Sequence, residues 1–215
     1  MSNYILICSV LNPPNIPLSY SKIRSVFSRE ERFEQTKNTI KTVKEKIPNT
    51  KIILVECTDF NENEYNYLNK ECEHILNLWD RKELHPKIFG HSKALGEATQ
   101  MIEIIDYISK NINLDHIIKI GGRYWLNDNF NFENFKDDIV FKKNHEGNVA
   151  TTLYKISLSE LKLLREYFIA NEDKMRRFIG YEILVTQFLS NKNVKYLETL
   201  GISGHCTVNG EYYSF

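Results

Sequence analysis

The stretch Ile117-Ile118-Lys119-Ile120-Gly121-Gly122-Arg123-Tyr124-Trp125-Leu126 decides the fold. It begins as a short apolar run, which is typical of a buried strand. The two glycines that follow allow a sharp turn or a close approach to a ligand. Arg123 can present a planar, permanently charged fork to phosphate or carboxylate. Because ligands of open α/β sheets bind beyond the carboxyl ends of the strands, we expect the functional site here. The alternative is a glycine turn with a surface arginine and two packed aromatic rings.

The residues before this stretch alternate between strand and helix patterns. Apolar runs at 4–11, 51–57 and 74–79 predict three strands. A capping box at Ser28–Glu31, a polar helical pattern at 62–71 and a helix cap at Ser92 predict three helices. The segment 80–90, which contains a proline, predicts a loop. Alternation of this kind predicts a parallel sheet with helices on both faces.

The second half of the chain has a mixed pattern. Strands are predicted at 139–142 and 149–156, a helix after a capping box at 157–160, a further helix at 173–190, and short strands and loop from 194 onward. There is no repeat, low-complexity linker or break in composition. We therefore expect one α/β domain over 1–215, with a mainly parallel central sheet and a mixed C-terminal half.

Length and charge limit the function. A chain of 215 residues can bury one sizeable core. Lys plus Arg and Asp plus Glu balance at 28 each, which argues against a broad electrostatic surface for nucleic acid or anionic membrane, although a local basic pocket is compatible with it. Four cysteines without a CxxC pair, no signal segment and no membrane-spanning run favour a protein of a reducing compartment, the cytoplasm.

Several basic residues could hold an anion. Lys93 lies on the predicted first turn of a helix, where unpaired N–H groups favour negative charge, although it could be a solvated lysine. Arg24, Arg29 and Arg32 follow the first loop and could converge on an anion or form surface ion pairs. There is no P-loop and no GxGxxG motif, so ordinary NTPase and dinucleotide-binding functions lose their main support.

Three carboxylates are placed where chemistry could use them. Glu56 and Asp59 end the second strand, where acidic groups often hold the sugar or base of a nucleotide, or they could cap the next helix. Glu182 lies in a nearly all-apolar helical stretch. Burial would raise its pKa unless a partner stabilises the charge, which makes it either a candidate general base or one member of a buried ion pair.

His205 is flanked by glycines in Gly201-Ile202-Ser203-Gly204-His205 and could bind metal or phosphate, although lone histidines are usually structural. No D-x-D pair occurs in the chain, and Asn127-Asp128-Asn129 is only a weak substitute for it.

A resemblance to a known family is spread over nearly the whole chain. The segments that carry it are residues 24–36, Ile47-Pro48, the strand ending in Glu56, Lys93 with Gly96-Glu97, residues 119–124 and the glycine-rich tail at 201–210. The chain resembles small bacterial and viral sugar-transfer proteins, glycosyltransferases of the GT-A type that build surface polysaccharide, lipopolysaccharide or viral glycans. The resemblance implies a Rossmann-like domain whose first half, 1–126, binds a nucleotide-sugar, while 127–215 binds a glycan acceptor.

The resemblance also suggests roles for individual residues. Most of the family uses D-x-D to hold Mn²⁺ or Mg²⁺ on the diphosphate, and this chain has Lys119–Tyr124 at that place, which puts metal dependence in doubt. Glu182 would then deprotonate the acceptor with inversion, Arg123 would stabilise the leaving diphosphate, and Asp80 and His205 would be the first candidate metal ligands. Donor contacts are expected from the following residues: Ser9, Leu11, Asn12, Arg32, Glu56, Asp59, Lys93, Lys119, Gly121, Gly122 and Tyr124.

Two other functions stay open at this point. A sugar-phosphate nucleotidyltransferase would use a related fold, but the glycine-rich, lysine-containing loop that it needs after the first strand is replaced here by Asn12–Pro17, with three prolines. A non-catalytic glycan- or protein-binding module derived from a transferase would explain the missing D-x-D. If the chain is viral, the expected compartment is the cytoplasm of the host.

Overall fold

A computed structural model describes residues 2–215. Ten strands lie in this range: β1 Asn3–Cys8, β2 Thr50–Glu56, β3 His74–Asn77, β4 His116–Gly121, β5 Tyr124–Leu126, β6 Val140–Lys143, β7 Val149–Ser157, β8 Lys195–Leu197, β9 Ile202–His205 and β10 Tyr212–Ser214. Seven α-helices accompany them: α1 Arg29–Lys46, α2 Glu62–Glu71, α3 His85–Ile88, α4 Lys93–Asn111, α5 Leu158–Ala170, α6 Glu172–Arg176 and α7 Tyr181–Leu189. Short 3-10 turns cover Lys82–Leu84 and Phe132–Phe135.

The strands form one large sheet and one small sheet. The large sheet has the order β3-β2-β1-β4-β7-β6-β8, and its first four strands are parallel. Strand β7 runs antiparallel to β4 and β6, and β8 is parallel to β6. The small sheet is antiparallel, in the order β10-β9-β5. This arrangement confirms the predicted α/β fold with a mainly parallel sheet and a mixed second half.

The core lies on both faces of the large sheet, because its central strands are apolar on both sides. Ile104 of α4, Leu164 of α5 and Leu184 of α7 belong to the buried cluster on one face. Ile40 of α1 and Leu68 of α2 belong to the cluster on the other. Apolar burial on this scale is the main force that holds helices to a sheet.

The helix starts follow the predicted capping residues. Ser28 accepts a hydrogen bond from the Glu31 backbone N–H, and the Glu31 side chain accepts one from the Ser28 N–H, so the capping box of α1 is complete. Ser92 accepts from the Leu95 N–H at the start of α4. The capping box predicted at 157–160 is incomplete. The Ser157 side chain accepts a hydrogen bond from the Glu160 N–H, but the Glu160 side chain does not accept one from the Ser157 N–H.

The strands predicted at 4–11 and 74–79 end earlier, at Cys8 and Asn77, and two other predicted segments differ in kind. The predicted loop at 80–90 contains a 3-10 turn and the helical turn α3. The helix predicted over 173–190 is two helices, α6 and α7, with a break at 177–180. At the break the Ile179 N–H donates to the Lys174 carbonyl and the Phe178 N–H to the Met175 carbonyl, the paired bonds of a Schellman motif. Gly180 then becomes the N-cap of α7.

The helices of the described range are amphipathic or short. The longest, α4, has 19 residues and buries one apolar stripe, while charged side chains such as Glu103 and Lys110 occur along it. Among residues 2–215 no helix combines the length and the apolar character that crossing a bilayer requires.

Gly201 precedes β9 at a close approach between backbones. Its φ is +68°, and a Cβ at this position would lie 2.3 Å from the N and Cα atoms of Phe130. Gly147, in the turn between β6 and β7, has φ +82°, but no atom of the described residues lies within 4 Å of the corresponding Cβ position. A side chain at either position would therefore strain the backbone, but only a side chain at Gly201 would also clash with a neighbouring residue.

We predict that Gly201→Ala destabilises the protein more than Gly147→Ala. The Gly147 change should cost about 1 kcal/mol for the left-handed backbone. The Gly201 change should cost roughly 3 kcal/mol or more, because the methyl group also displaces the Phe130 backbone. Urea unfolding followed by circular dichroism measures both, and equal losses would show that the Phe130 contact relaxes without effect.

Candidate active site

A cavity of about 240 Å³ opens at the carboxyl ends of β1 and β4. Charged side chains from both halves of the chain line it. They are the bases Arg24, Arg32, Lys93, Lys119 and Arg123 and the acids Glu97 and Glu182. Five bases against two acids give a formal excess of three positive charges in a confined space, which favours an anionic ligand.

The glycine pair after β4 lets two strand ends approach closely. Gly121 is paired with Cys8 of β1, and the Gly122 N–H donates to the Cys8 carbonyl oxygen at 2.9 Å. A Cβ on Gly122 would lie 2.9 Å from the Cβ of Ser9, so a larger residue would push the strand ends apart. Gly121, Gly122 and Ser9, which are predicted donor contacts, all line the cavity.

Arg123 reaches the cavity with most of its hydrogen-bonding capacity unused. One terminal nitrogen, Nη1, donates to the His205 carbonyl oxygen at 3.0 Å, and the guanidinium carbon lies 5.5 Å from the centre of the Tyr124 ring. Because a guanidinium has five N–H donors in a planar fork, others stay available to a phosphate. Tyr124 also lines the cavity.

Lys93 and Glu97 form an ion pair on the first turns of α4, with 3.5 Å between Lys93 Nζ and Glu97 Oε1. The Glu97 carboxylate raises the pKa of the Lys93 ammonium, and the partial desolvation of this side chain, which is 42% exposed, opposes the effect. Burial acts to raise the pKa of Glu97, but the charges of Lys93, Lys119 and Arg123 outweigh it and the pKa is lowered. Both groups are therefore charged at neutral pH.

Lys119 and Arg32 are buried cations held by backbone oxygens. Lys119 Nζ donates to the Thr151 carbonyl at 2.7 Å, and Arg32 Nε donates to the Val10 carbonyl at 2.6 Å. Burial, with a smaller effect of Arg123, lowers the pKa of Arg32 to about 9, which still leaves the guanidinium protonated at neutral pH. Neither cation is neutralised by a direct ion pair in the described part of the chain.

Glu182 lies on the first turn of α7 and lines the cavity together with Arg123. It is half-buried, so the deep burial expected from its apolar sequence neighbours is not observed. Several of those neighbours, Phe178, Ile179 and Ile183, are themselves exposed. Glu182 Oε1 accepts a hydrogen bond from Thr151 Oγ1 at 3.3 Å. The carboxylate is thus oriented and open to the cavity.

The structure does not bring every predicted donor residue to the cavity. Glu56 is fully buried away from it, and its Oε1 accepts from the Leu11 N–H, the Cys57 N–H and the Thr58 hydroxyl. Burial raises the pKa of Glu56, while these hydrogen bonds oppose the rise. Glu56 shapes the loop after β1 rather than lining the cavity. Leu11 is buried beside it, and the Asn12 N–H donates to Thr58.

The predicted metal ligands are also apart from the cavity. Asp80 is exposed and outside its lining, as is Asp59, which is a predicted donor contact. The Nδ1 atom of His205 lies 3.2 Å from the Gly210 carbonyl oxygen, and its ring packs against Trp125. The described part of the chain has no group of three or more His, Cys, Asp or Glu side chains placed to hold a metal ion. The cavity has only two carboxylates, Glu97 and Glu182, against five cationic side chains, so its donor set does not fit a divalent metal.

Other arginines near the first loop have structural contacts. Arg24 lines the cavity, but its Nε donates to the Ile16 carbonyl and its Nη2 to the Phe89 carbonyl, which ties the loop to the residues before α4. Arg29 forms an ion pair with Glu64 at 2.5 Å, outside the cavity.

Sequence-based prediction assigns no site role to Glu97, Gln100, Thr151 and Tyr181, all of which line the cavity. Glu97 and Gln100 had a usable signal, because they lie one and two turns after Lys93 on the same helix. Gln100 Nε2 donates to the Ser9 carbonyl oxygen at 3.1 Å. Thr151 and Tyr181 come from elements distant in sequence and had no local signal.

No family model and no curated protein matches the chain. Among solved structures, the chain is similar to the glycosyltransferase GlyE of Streptococcus pneumoniae TIGR4, with a TM-score of 0.56, and to the apo form of GlyE, with a TM-score of 0.59. Each match has 10% sequence identity and covers 92% of this chain but only 45% of the GlyE chain. The chain therefore spans less than half the length of GlyE and shares its fold over that part.

Proposed function

We propose that the chain is a glycosyltransferase of the GT-A type, which moves a sugar from a nucleotide-sugar to a hydroxyl of a glycan acceptor. The observation that carries this proposal is the cationic cavity at the carboxyl edge of the parallel strands, with a carboxylate, Glu182, on its wall. The fold shared with GlyE supports the same class of reaction. Bacterial or viral polysaccharide synthesis is the setting that the resemblance suggests.

The positive charge of the cavity is proposed to stabilise the leaving diphosphate. When the bond between the anomeric carbon and the phosphate oxygen breaks, the electron pair stays on the diphosphate, whose negative charge increases. Fixed cations that face this charge stabilise the transition state more than the ground state. We assign this role to Arg123 and Lys93, with Lys119 and Arg32 as buried contributors, because all four line the same cavity.

Glu182 is proposed to activate the acceptor. Its carboxylate takes the proton of the acceptor hydroxyl while that oxygen forms the new bond to the anomeric carbon from the face opposite the departing diphosphate. Displacement from the opposite face inverts the anomeric configuration. The hydrogen bond from Thr151 to Oε1 orients the carboxylate and leaves Oε2 for the proton.

Replacement of Arg123 by alanine should lower the rate of sugar transfer by about 10²–10³-fold, the usual effect of removing one donor that stabilises transition-state charge. Arg81→Ala is the matched control, because Arg81 is exposed and pairs with Glu83 and Glu103 away from the cavity. The measurement is release of nucleoside diphosphate from a panel of UDP-, GDP- and CDP-sugars, with and without oligosaccharide acceptors. Equal rates in the two variants would contradict the role of Arg123.

Glu182→Gln should abolish transfer, by roughly 10²–10⁴-fold, but leave donor binding intact, because the amide cannot accept the proton while the shape of the side chain is kept. Donor binding is measured by the rise in melting temperature that a nucleotide-sugar produces. The control is Glu166→Gln, since Glu166 is on α5 and outside the cavity. Loss of transfer and of donor binding in equal measure would assign Glu182 a structural role.

Removal of divalent cations should leave donor hydrolysis and transfer unchanged, because in this proposal Arg123 and Lys93 supply the positive charge that a metal would otherwise supply. The test compares rates after treatment with EDTA and after addition of Mn²⁺ or Mg²⁺. Loss of activity with EDTA and rescue only by one of these ions would contradict a metal-free mechanism. A chain that binds nucleotide-sugars but never releases diphosphate would instead be a binding module.

A further inference from the structure

The turn between α6 and α7 holds an aromatic residue in an unfavourable backbone conformation. Phe178 has φ +66° and occupies the left-handed position of the Schellman motif that ends α6. Glycine is the usual residue there, because a side chain in this conformation is strained by about 1–2 kcal/mol. Packing does not compensate for the strain, since 55% of the Phe178 surface is exposed.

Phe178 is part of a small surface that combines apolar and basic side chains. Ile179 and Ile183 are each 38% exposed beside it. Lys174 and Arg177 are also exposed, and no carboxylate within residues 2–215 lies at ion-pair distance from either. We call the exposed side chains of Lys174, Arg177, Phe178, Ile179 and Ile183 the amphiphilic rim.

The charges next to the rim leave it net basic. Arg176 and Lys87 both pair with Glu172, at 2.5 and 2.8 Å, so two cations share one carboxylate. Asp173 is the other acidic group of the turn, and it is exposed. With Glu182 on the adjoining cavity wall included, four bases against three acids leave a local excess of one positive charge in a chain whose net formal charge is zero.

We propose that the amphiphilic rim docks on the surface of a lipid bilayer that contains anionic phospholipid. An exposed ring and two aliphatic side chains can enter the boundary between headgroups and acyl chains, while flanking lysine and arginine contact the phosphates. A glycan would not cover Ile179 and Ile183 well, because aliphatic side chains offer it no hydrogen bonds. The strain at Phe178 is then the cost of presenting a ring to the membrane.

The rim adjoins the cavity without being part of its charged lining. Tyr181 and Glu182 line the cavity from the same first turn of α7 on which Ile183 is exposed. A bilayer on the rim would therefore lie beside the cavity wall that carries Glu182. Docking itself requires only the rim residues, so it can be tested without any assumption about the reaction.

The experiment is co-sedimentation of the purified full chain with vesicles of phosphatidylcholine alone or of phosphatidylcholine and phosphatidylglycerol in equal parts. We expect binding to the anionic vesicles that weakens as salt rises, and little binding to the neutral ones. Phe178→Gly should reduce the vesicle affinity by about tenfold or more, the factor expected when one phenylalanine no longer leaves water. The same change should raise the melting temperature, because glycine relieves the backbone strain.

Two further variants make the result specific. Tyr65→Ala removes a ring that is 54% exposed on α2, on the other face of the sheet, and should bind vesicles like the unaltered chain. Arg177→Gln should weaken binding and reduce its dependence on salt. The proposal is overturned if the unaltered chain does not bind anionic vesicles, or if Phe178→Gly binds them as well as the unaltered chain does. It is also overturned if sedimentation velocity shows that the rim instead mediates self-association.

Discussion

The candidate site depends on hydrogen bonds from cationic side chains to backbone carbonyl oxygens. Arg123, Lys119 and Arg32 each donate to a carbonyl group rather than to a carboxylate. A carbonyl dipole holds the side chain in place and satisfies one donor without cancelling its charge. The positive field therefore remains in the cavity for an anionic ligand. Lys93 is the exception, because it pairs with the Glu97 carboxylate. The negative charge of Glu97 offsets part of the repulsion among the cations.

Most of the fold could be predicted from the sequence, because the local patterns of apolar runs and helix caps correspond to the strands and helices that form the large sheet. Apolar runs separated by capped helices identify the four parallel strands, and the helix at 62–71 was predicted with its observed bounds. The sequence pattern does not reveal the break at Phe178, since a phenylalanine in the left-handed conformation contradicts its own preference and Gly180 lies inside the helix predicted over 173–190. The pairing of β5 with β9 joins segments nearly eighty residues apart and leaves no local pattern.

The candidate site was less predictable than the fold. Residues at strand ends and helix starts, such as Gly122, Arg123 and Lys93, were found because topology alone brings them to one edge of the sheet. Glu56 satisfied the same positional rule, yet its side chain turns inward to bind the loop backbone. Position along a strand therefore predicts which edge a residue reaches but not the direction of its side chain, which depends on partners such as Thr58 that only the folded chain supplies.

The second half of the chain completes a site that the first half begins. Arg123 follows β4 of the parallel half, but the carbonyl oxygen that holds its guanidinium belongs to His205, more than eighty residues later. That oxygen is placed by β9, which pairs with β5 directly after Arg123 and with β10 on its other side. Glycine at 204 permits this pairing, since a Cβ there would lie 2.3 Å from the Tyr124 ring. The Arg123 guanidinium is thus oriented only once the C-terminal strands have docked, so the geometry of the cationic cavity depends on the small sheet.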